Sequence, residues 1–181
     1  MQLLKTHILP YLEFPTPAIY HACISILDQV DNVQKSFLRH LGVSDEEALS
    51  TFHLAPLASR RDIAMLGVIH RTMLGLGPAH FKKWFYLAPT WHGLNTTSRT
   101  NKHDKQIYDY RNGTHCEIIR RSVLGLCRVY NQLSQDVVNC KTVKAFQRCL
   151  QDTLKTKLNA GAPDWASHFS PRGALFTRAR V

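Results

Sequence analysis

Ten histidines and five cysteines make a metal centre the first chemistry to test. A zinc site needs ligand pairs such as C-x₂₋₄-C or H-x₃₋₅-H, because the two side chains of a pair must converge on one ion. His21 and Cys23 are separated by one residue, and His115 and Cys116 by none, which is too close for joint ligation with ordinary geometry. No C-x₂₋₄-C is present, so the expectation is no metal and no cofactor. Cys23, Cys127 and Cys149 fall on apolar helical faces, where cysteine usually serves as a small core residue. No nucleophile signature surrounds any cysteine, and no G-x-S-x-G occurs. The acidic run Asp45-Glu46-Glu47 follows Ser44 and reads as a helix start, not as a pair of catalytic carboxylates. Gly75-Leu76-Gly77 is followed by Pro78 and preceded by no strand, which excludes a phosphate-binding loop. The chain therefore shows no catalytic constellation of its own: no enzyme and no small-molecule substrate are expected.

What remains is positive charge. The net charge is +10 and unevenly spread. Residues 1–58 carry −3, whereas residues 59–181 hold twenty Lys/Arg against seven Asp/Glu, a net of +13. Such asymmetry suits a surface that faces a polyanion. Arg60, Arg61, Lys82, Lys83, Arg99, Lys102, Lys105, Arg111, Arg120 and Arg121 are the candidate contacts to an RNA or DNA backbone, with Arg60 and Arg61 foremost. Arg120-Arg121 reads equally as a solvated helix turn. Trp84-Phe85-Tyr86, beside Lys82-Lys83, reads first as core packing at a helix end and second as a base-stacking surface.

The elements that must position these residues are helical. Thr16-Pro17 suits a helix start, and apolar residues recur at Ile19, Cys23, Ile26, Leu27, Val30, Val33, Phe37 and Leu41, about six turns in all. Gly42 ends that run, and Ser44 opens a short helix to about Thr51. A helix from Ala58 or Ser59 carries Ile63, Leu66, Ile69, His70, Met73 and Leu74 as its buried stripe, with Asp62 favoured by the dipole in its first turn. A one- or two-turn helix follows at 79–86. The segment 88–114 reads as a long basic loop, with a short strand at 106–111. Helical spacing returns over 118–130, a single turn is indicated at 135–138, and Thr142 caps a last helix through Leu158. The expected fold is all-α: five to six mostly antiparallel helices, a lead-in at 1–15, one domain over 16–158 and a basic tail at 159–181, frayed over 164–181.

Four blocks in this order resemble a known family. They are Thr16-Pro17-Ala18-Ile19-Tyr20-His21-Ala22; Leu27 to Gln34 with Phe37-Leu38-Arg39 and Leu41-Gly42; Ala55-Pro56-Leu57 with Arg60 to Gly67; and Arg121-Ser122 with Val129-Tyr130-Asn131-Gln132-Leu133 and Val143 to Phe146. The arrangement, over roughly residues 15–155, is similar to the region downstream of the polymerase palm in non-LTR (LINE-like) retrotransposon reverse transcriptases. Tyr130 stands where that family has Trp in a W-N-x-L-P block, and Ser134 where it has Pro. The resemblance implies a thumb and C-terminal region that helps hold template and primer. The family's catalytic carboxylates lie upstream in a Y-x-D-D-type motif, which this chain does not contain.

The expected function is thus non-catalytic binding of nucleic-acid backbone by a retroelement-like helical region. Two alternatives stay open: an all-α protein-interaction module using the long first helix, and a truncated retroelement remnant without selected function. Irregularly spaced cysteines and the lack of a signal sequence or membrane span place the chain inside the cell, nuclear or cytoplasmic.

Overall fold

A computed structural model describes residues 1–88, 103–110 and 117–172. The fold is all-α. Among the described residues there are nine α-helices and no strand. They are α1 (Leu9–Glu13), α2 (Thr16–Ile19), α3 (Ile24–His40), α4 (Asp45–Phe52), α5 (Leu57–Met73), α6 (Glu117–Arg121), α7 (Leu126–Asn131), α8 (Gln135–Val138) and α9 (Val143–Asn159). A π-turn at Leu4–Ile8 precedes them, and 3₁₀ turns lie at Ala79–Lys83, Val123–Gly125 and Trp165–Ser167.

The count exceeds five to six because two apolar runs are broken by local chemistry. The first breaks between α2 and α3, where Cys23 takes an extended conformation at the start of α3. Tyr20 sits in that break, buried, with its hydroxyl donating to Asp62 Oδ1 at 2.6 Å. Continuing the helix would swing the ring away from this partner. The second run breaks at Ser122, also extended, whose Oγ accepts from Leu124 N at 3.2 Å and caps the next turn. Where the capping signal stands alone, sequence and structure coincide. Ser44 Oγ accepts from Glu47 N at 3.2 Å to start α4, and Thr142 Oγ1 accepts from Ala145 N at 3.1 Å to start α9.

The centre of the fold is α5. Eleven of its seventeen residues are buried, on all sides, so it runs through the core rather than along its surface. It packs on α9, α7, α2 and α3. The crossing with α9 is close at Gly67, where an added Cβ would lie 2.5 Å from Gln147 Nε2 and 3.2 Å from Val143 Cγ1. α9 answers with Phe146, Leu150 and Leu154, all fully buried at a helical spacing. Each such side chain contributes about 1.5–3 kcal/mol by leaving water.

His70 is the polar pin of this core. It stacks on Phe146 with ring centroids 4.1 Å apart and 6° between planes. The carbonyl of Cys140 accepts from Nε2 at 2.8 Å, which leaves Nδ1 to accept from the Tyr130 hydroxyl at 3.2 Å. Both ring nitrogens are satisfied in the neutral form, and burial holds the His70 pKa below the usual histidine range.

Both ends of the described chain are packed, including residues 164–172 of the stretch read as a frayed tail. Leu4 and Leu9 join Leu38, Ala48 and Leu54 in a second core cluster. Trp165 and Phe169 join the main cluster. Beyond them, the Arg172 guanidinium lies 4.9 Å from the centre of the Tyr20 ring and donates to the carbonyls of Tyr20 and, at 2.8 Å, Arg121. A residue read as part of a basic tail thus ties α2 and α6 together.

No described helix is long and apolar enough to cross a membrane.

Candidate nucleic-acid interface

Seven of the ten candidate contacts lie among the described residues; Arg99, Lys102 and Arg111 lie outside them. The seven do not form one patch of equivalent cations.

Arg61 is a core residue. Its side chain is 3 % exposed and grips Asp31 of α3 with two bonds, Nη1 to Oδ1 at 2.5 Å and Nη2 to Oδ2 at 2.8 Å. A guanidinium whose fork is filled by an internal carboxylate has no face left for a phosphate, so the leading expectation for Arg61 is corrected. The buried stripe of α3 is accordingly Leu27, Asp31, Gln34 and Leu38, half of it polar, with Gln34 Nε2 donating to the Ala55 carbonyl at 3.1 Å. Of the apolar residues at helical spacing, Leu27 is buried whereas Ile26 and Val33 are exposed. Arg60, next along α5, is mostly buried and pairs with Glu13 of α1. Burial lowers its pKa. It holds the N-terminal helices to α5 and is also turned inward.

Arg120 and Arg121 end α6. Arg120 pairs with Glu117 one turn earlier at 2.5 Å, on a partly exposed surface. Arg121 is half-buried. Lys105 is half-buried and donates to the Val138 carbonyl at the end of α8, at 3.0 Å. Such a contact satisfies orphan carbonyls at a helix C-terminus.

Lys82 and Lys83 remain exposed, on the 3₁₀ turn Ala79–Lys83. The chain then runs through Trp84 into an extended segment that meets residues 106–108. Leu87 and Ile107 form an isolated antiparallel bridge, closed by Ala88 N to Gln106 O at 2.8 Å and Tyr108 N to Tyr86 O at 3.1 Å. The strand expected at 106–111 is reduced to this bridge over its described part, and Asn131 pairs with it from the other side. Its amide spans Ile107 on the other edge, Oδ1 accepting from Ile107 N at 2.9 Å and Nδ2 donating to Ile107 O at 2.7 Å.

The bridge sorts the aromatic residues. Phe85 and Ile107 turn into the core. Tyr86 and Tyr108, opposite each other across it, stack at 5.4 Å and 18° and are 41 % and 40 % exposed. Tyr110 meets Tyr108 edge-on at 5.0 Å and Trp84 at 6.4 Å, and donates its hydroxyl to the Trp84 carbonyl at 2.8 Å. Trp84 itself is 53 % exposed. Of the aromatic run, then, only Phe85 is core. Tyr108 and Tyr110 were missed in the sequence; their spacing of two, on a segment that alternates, was the signal.

A second buried group lies behind Arg61. Asp62 is buried at the hydrogen bond to Tyr20, and desolvation raises its pKa to about 7 against the pull of that bond and of Arg172 and Arg61. It was expected to serve the helix dipole and instead anchors the α2–α3 break. No three His, Cys, Asp or Glu side chains among the described residues are grouped to hold a metal ion. Compared with family models, curated proteins and solved structures, the chain matches none.

Proposed function

We propose that this chain is a non-catalytic helical domain equivalent to the thumb and downstream region of a non-LTR retrotransposon reverse transcriptase, and that it binds nucleic-acid backbone. The observation that carries the reading is the pair Lys82-Lys83, exposed on a turn within a region of +13 charge. Ammonium groups held out from the fold neutralise phosphates and release counterions, which gives salt-dependent binding without sequence preference. Arg120 adds a partly exposed cation. Such a domain would act inside the cell, nuclear or cytoplasmic. Lys82→Ala/Lys83→Ala should weaken binding to any sequence about equally and flatten the salt dependence; a changed sequence preference would count against a phosphate role. The family assignment has its own test. A reading frame encoding a Y-x-D-D palm immediately upstream of Met1 is expected, and an unrelated upstream frame would remove that half of the proposal.

A second reading, an all-α protein-interaction module, is favoured by one observation. Ile26, Val30, Val33 and Phe37 recur at intervals of four, three and four along α3, the spacing of a coiled-coil seam, with Ile26 and Val33 exposed. Val33→Lys would disrupt a partner complex formed there while leaving nucleic-acid binding intact.

A further inference from the structure

The aromatic cluster at the Leu87–Ile107 bridge has a property that backbone binding does not require. Soluble domains bury tyrosine and tryptophan rings where they can, because each carries a large apolar area. Here Trp84, Tyr86 and Tyr108 present ring surface to water, joined through Tyr110 into one continuous series. The series is tied to the fold. The backbone beneath Tyr86 and Tyr108 is fixed by the two bridge hydrogen bonds, Phe85 and Ile107 anchor it to the core, and Asn131 clamps Ile107 from α7. Asp109, between Tyr108 and Tyr110, is drawn away from solvent by Arg128, Nε to Oδ2 at 2.9 Å. Among the described residues, the exposed charges next to the rings in the chain are Lys82 and Lys83.

Pre-ordered aromatic rings beside exposed ammonium groups match one polymer chemistry: flat, apolar bases carried on a phosphate backbone. In a duplex the bases already stack on each other and their faces are inaccessible. In a single strand they are free to stack on protein rings, which costs the protein no ordering entropy when its rings are fixed beforehand. We propose that Trp84, Tyr86 and Tyr108 form a base-stacking surface, and that the nucleic acid taken by this domain is single-stranded, with Lys82 and Lys83 holding the phosphates of the stacked nucleotides. This rests on the backbone-binding reading and specifies its ligand. It gives no preference among bases, since every base offers a face.

The test uses the full chain with a fluorescently labelled single-stranded oligonucleotide and a duplex of the same length, compared by anisotropy at matched salt. The single strand is expected to bind more tightly. Tyr86→Leu/Tyr108→Leu, which keeps apolar bulk, should weaken single-strand binding by about fivefold or more per lost stack and leave the salt slope unchanged. Tyr86→Phe/Tyr108→Phe should bind as the parent does, because stacking needs the ring and not the hydroxyl. Equal or tighter duplex binding, or Leu variants that bind single strands normally, would overturn the stacking surface while leaving backbone binding in place. Absence of binding to either probe at low salt would remove both. A self-associated species that dissociates in the Leu variants, with no change in oligonucleotide affinity, would assign the rings to a protein contact and overturn the proposal.

Discussion

Replacing Arg61 with Leu removes the cation facing Asp31 and leaves aliphatic bulk in its place. Arg61 is 3 % exposed and Asp31 8 %, and two short hydrogen bonds join them. Removing one partner of a buried pair strands the other charge in a poorly solvated site, which costs about 3–5 kcal/mol. In a chain of this size each kcal/mol moves the melting temperature by about 2–4 °C, so Arg61→Leu should lower it by roughly 6–20 °C. Replacing both residues, Arg61→Met/Asp31→Leu, should recover most of the stability, since no charge is then left buried. Urea unfolding of the two singles and the double, followed by circular dichroism, gives the coupling directly. A buried, structural ion pair is contradicted if Arg61→Leu unfolds within about 1 kcal/mol of the parent. It is contradicted equally if that variant stays stable but binds nucleic acid more weakly with a flatter salt dependence, as a surface phosphate ligand would.

Three further outcomes follow from the core and from one pair of thiols. Asp62, with its pKa raised to about 7, favours the folded state when protonated; its contribution is complete below the ordinary carboxylate range and is lost as pH rises through 7. Asp62→Asn, neutral throughout, should therefore melt higher than the parent at pH 8 and show a smaller gain or none at pH 5; a gain that does not depend on pH would contradict the burial account. At Gly125 an added Cβ would meet Arg120 O at 2.4 Å and Ile119 O at 2.9 Å, both backbone atoms, so Gly125→Ala must shift the α6–α7 junction and should cost on the order of 1–3 kcal/mol in urea unfolding. Cys140 and Cys149 hold their sulfurs 3.7 Å apart, so mild treatment with a thiol oxidant should join them, detected as a cross-linked peptide pair that is absent from Cys149→Ser.

The sequence carried the helix ends best where one side chain does one job. Ser44 and Thr142 cap a helix whatever lies beyond, and α4 and α9 begin there. It misled where a side chain serves a distant partner. Thr16 to Leu41 has helical spacing throughout, and nothing local reveals that Tyr20 must reach Asp62, 42 residues away, and so break the run. The same non-local pairing reversed the reading of the basic residues. Arg60 and Arg61 look like an exposed doublet until α1 and α3 bring Glu13 and Asp31 against them. A count of charges does not distinguish a cation paired inside the fold from one held in water. Lys82 and Lys83 were legible because they follow the Gly75-Leu76-Gly77-Pro78 break, on a short 3₁₀ segment with no buried residue. The aromatic face was half legible: Trp84 and Tyr86 stood in an obvious run, but Tyr108 and Tyr110 join them only through the bridge at Leu87 and Ile107.

That this fold presents lysines to a nucleic-acid backbone can be read from a salt titration. Affinity for a single-stranded oligonucleotide should fall linearly with salt on logarithmic axes, and Lys82→Ala/Lys83→Ala should reduce the slope by about 1.4, the counterion release of two phosphates on a single strand. Undetectable binding at low salt, or binding whose slope is the same with and without the two lysines, would contradict it.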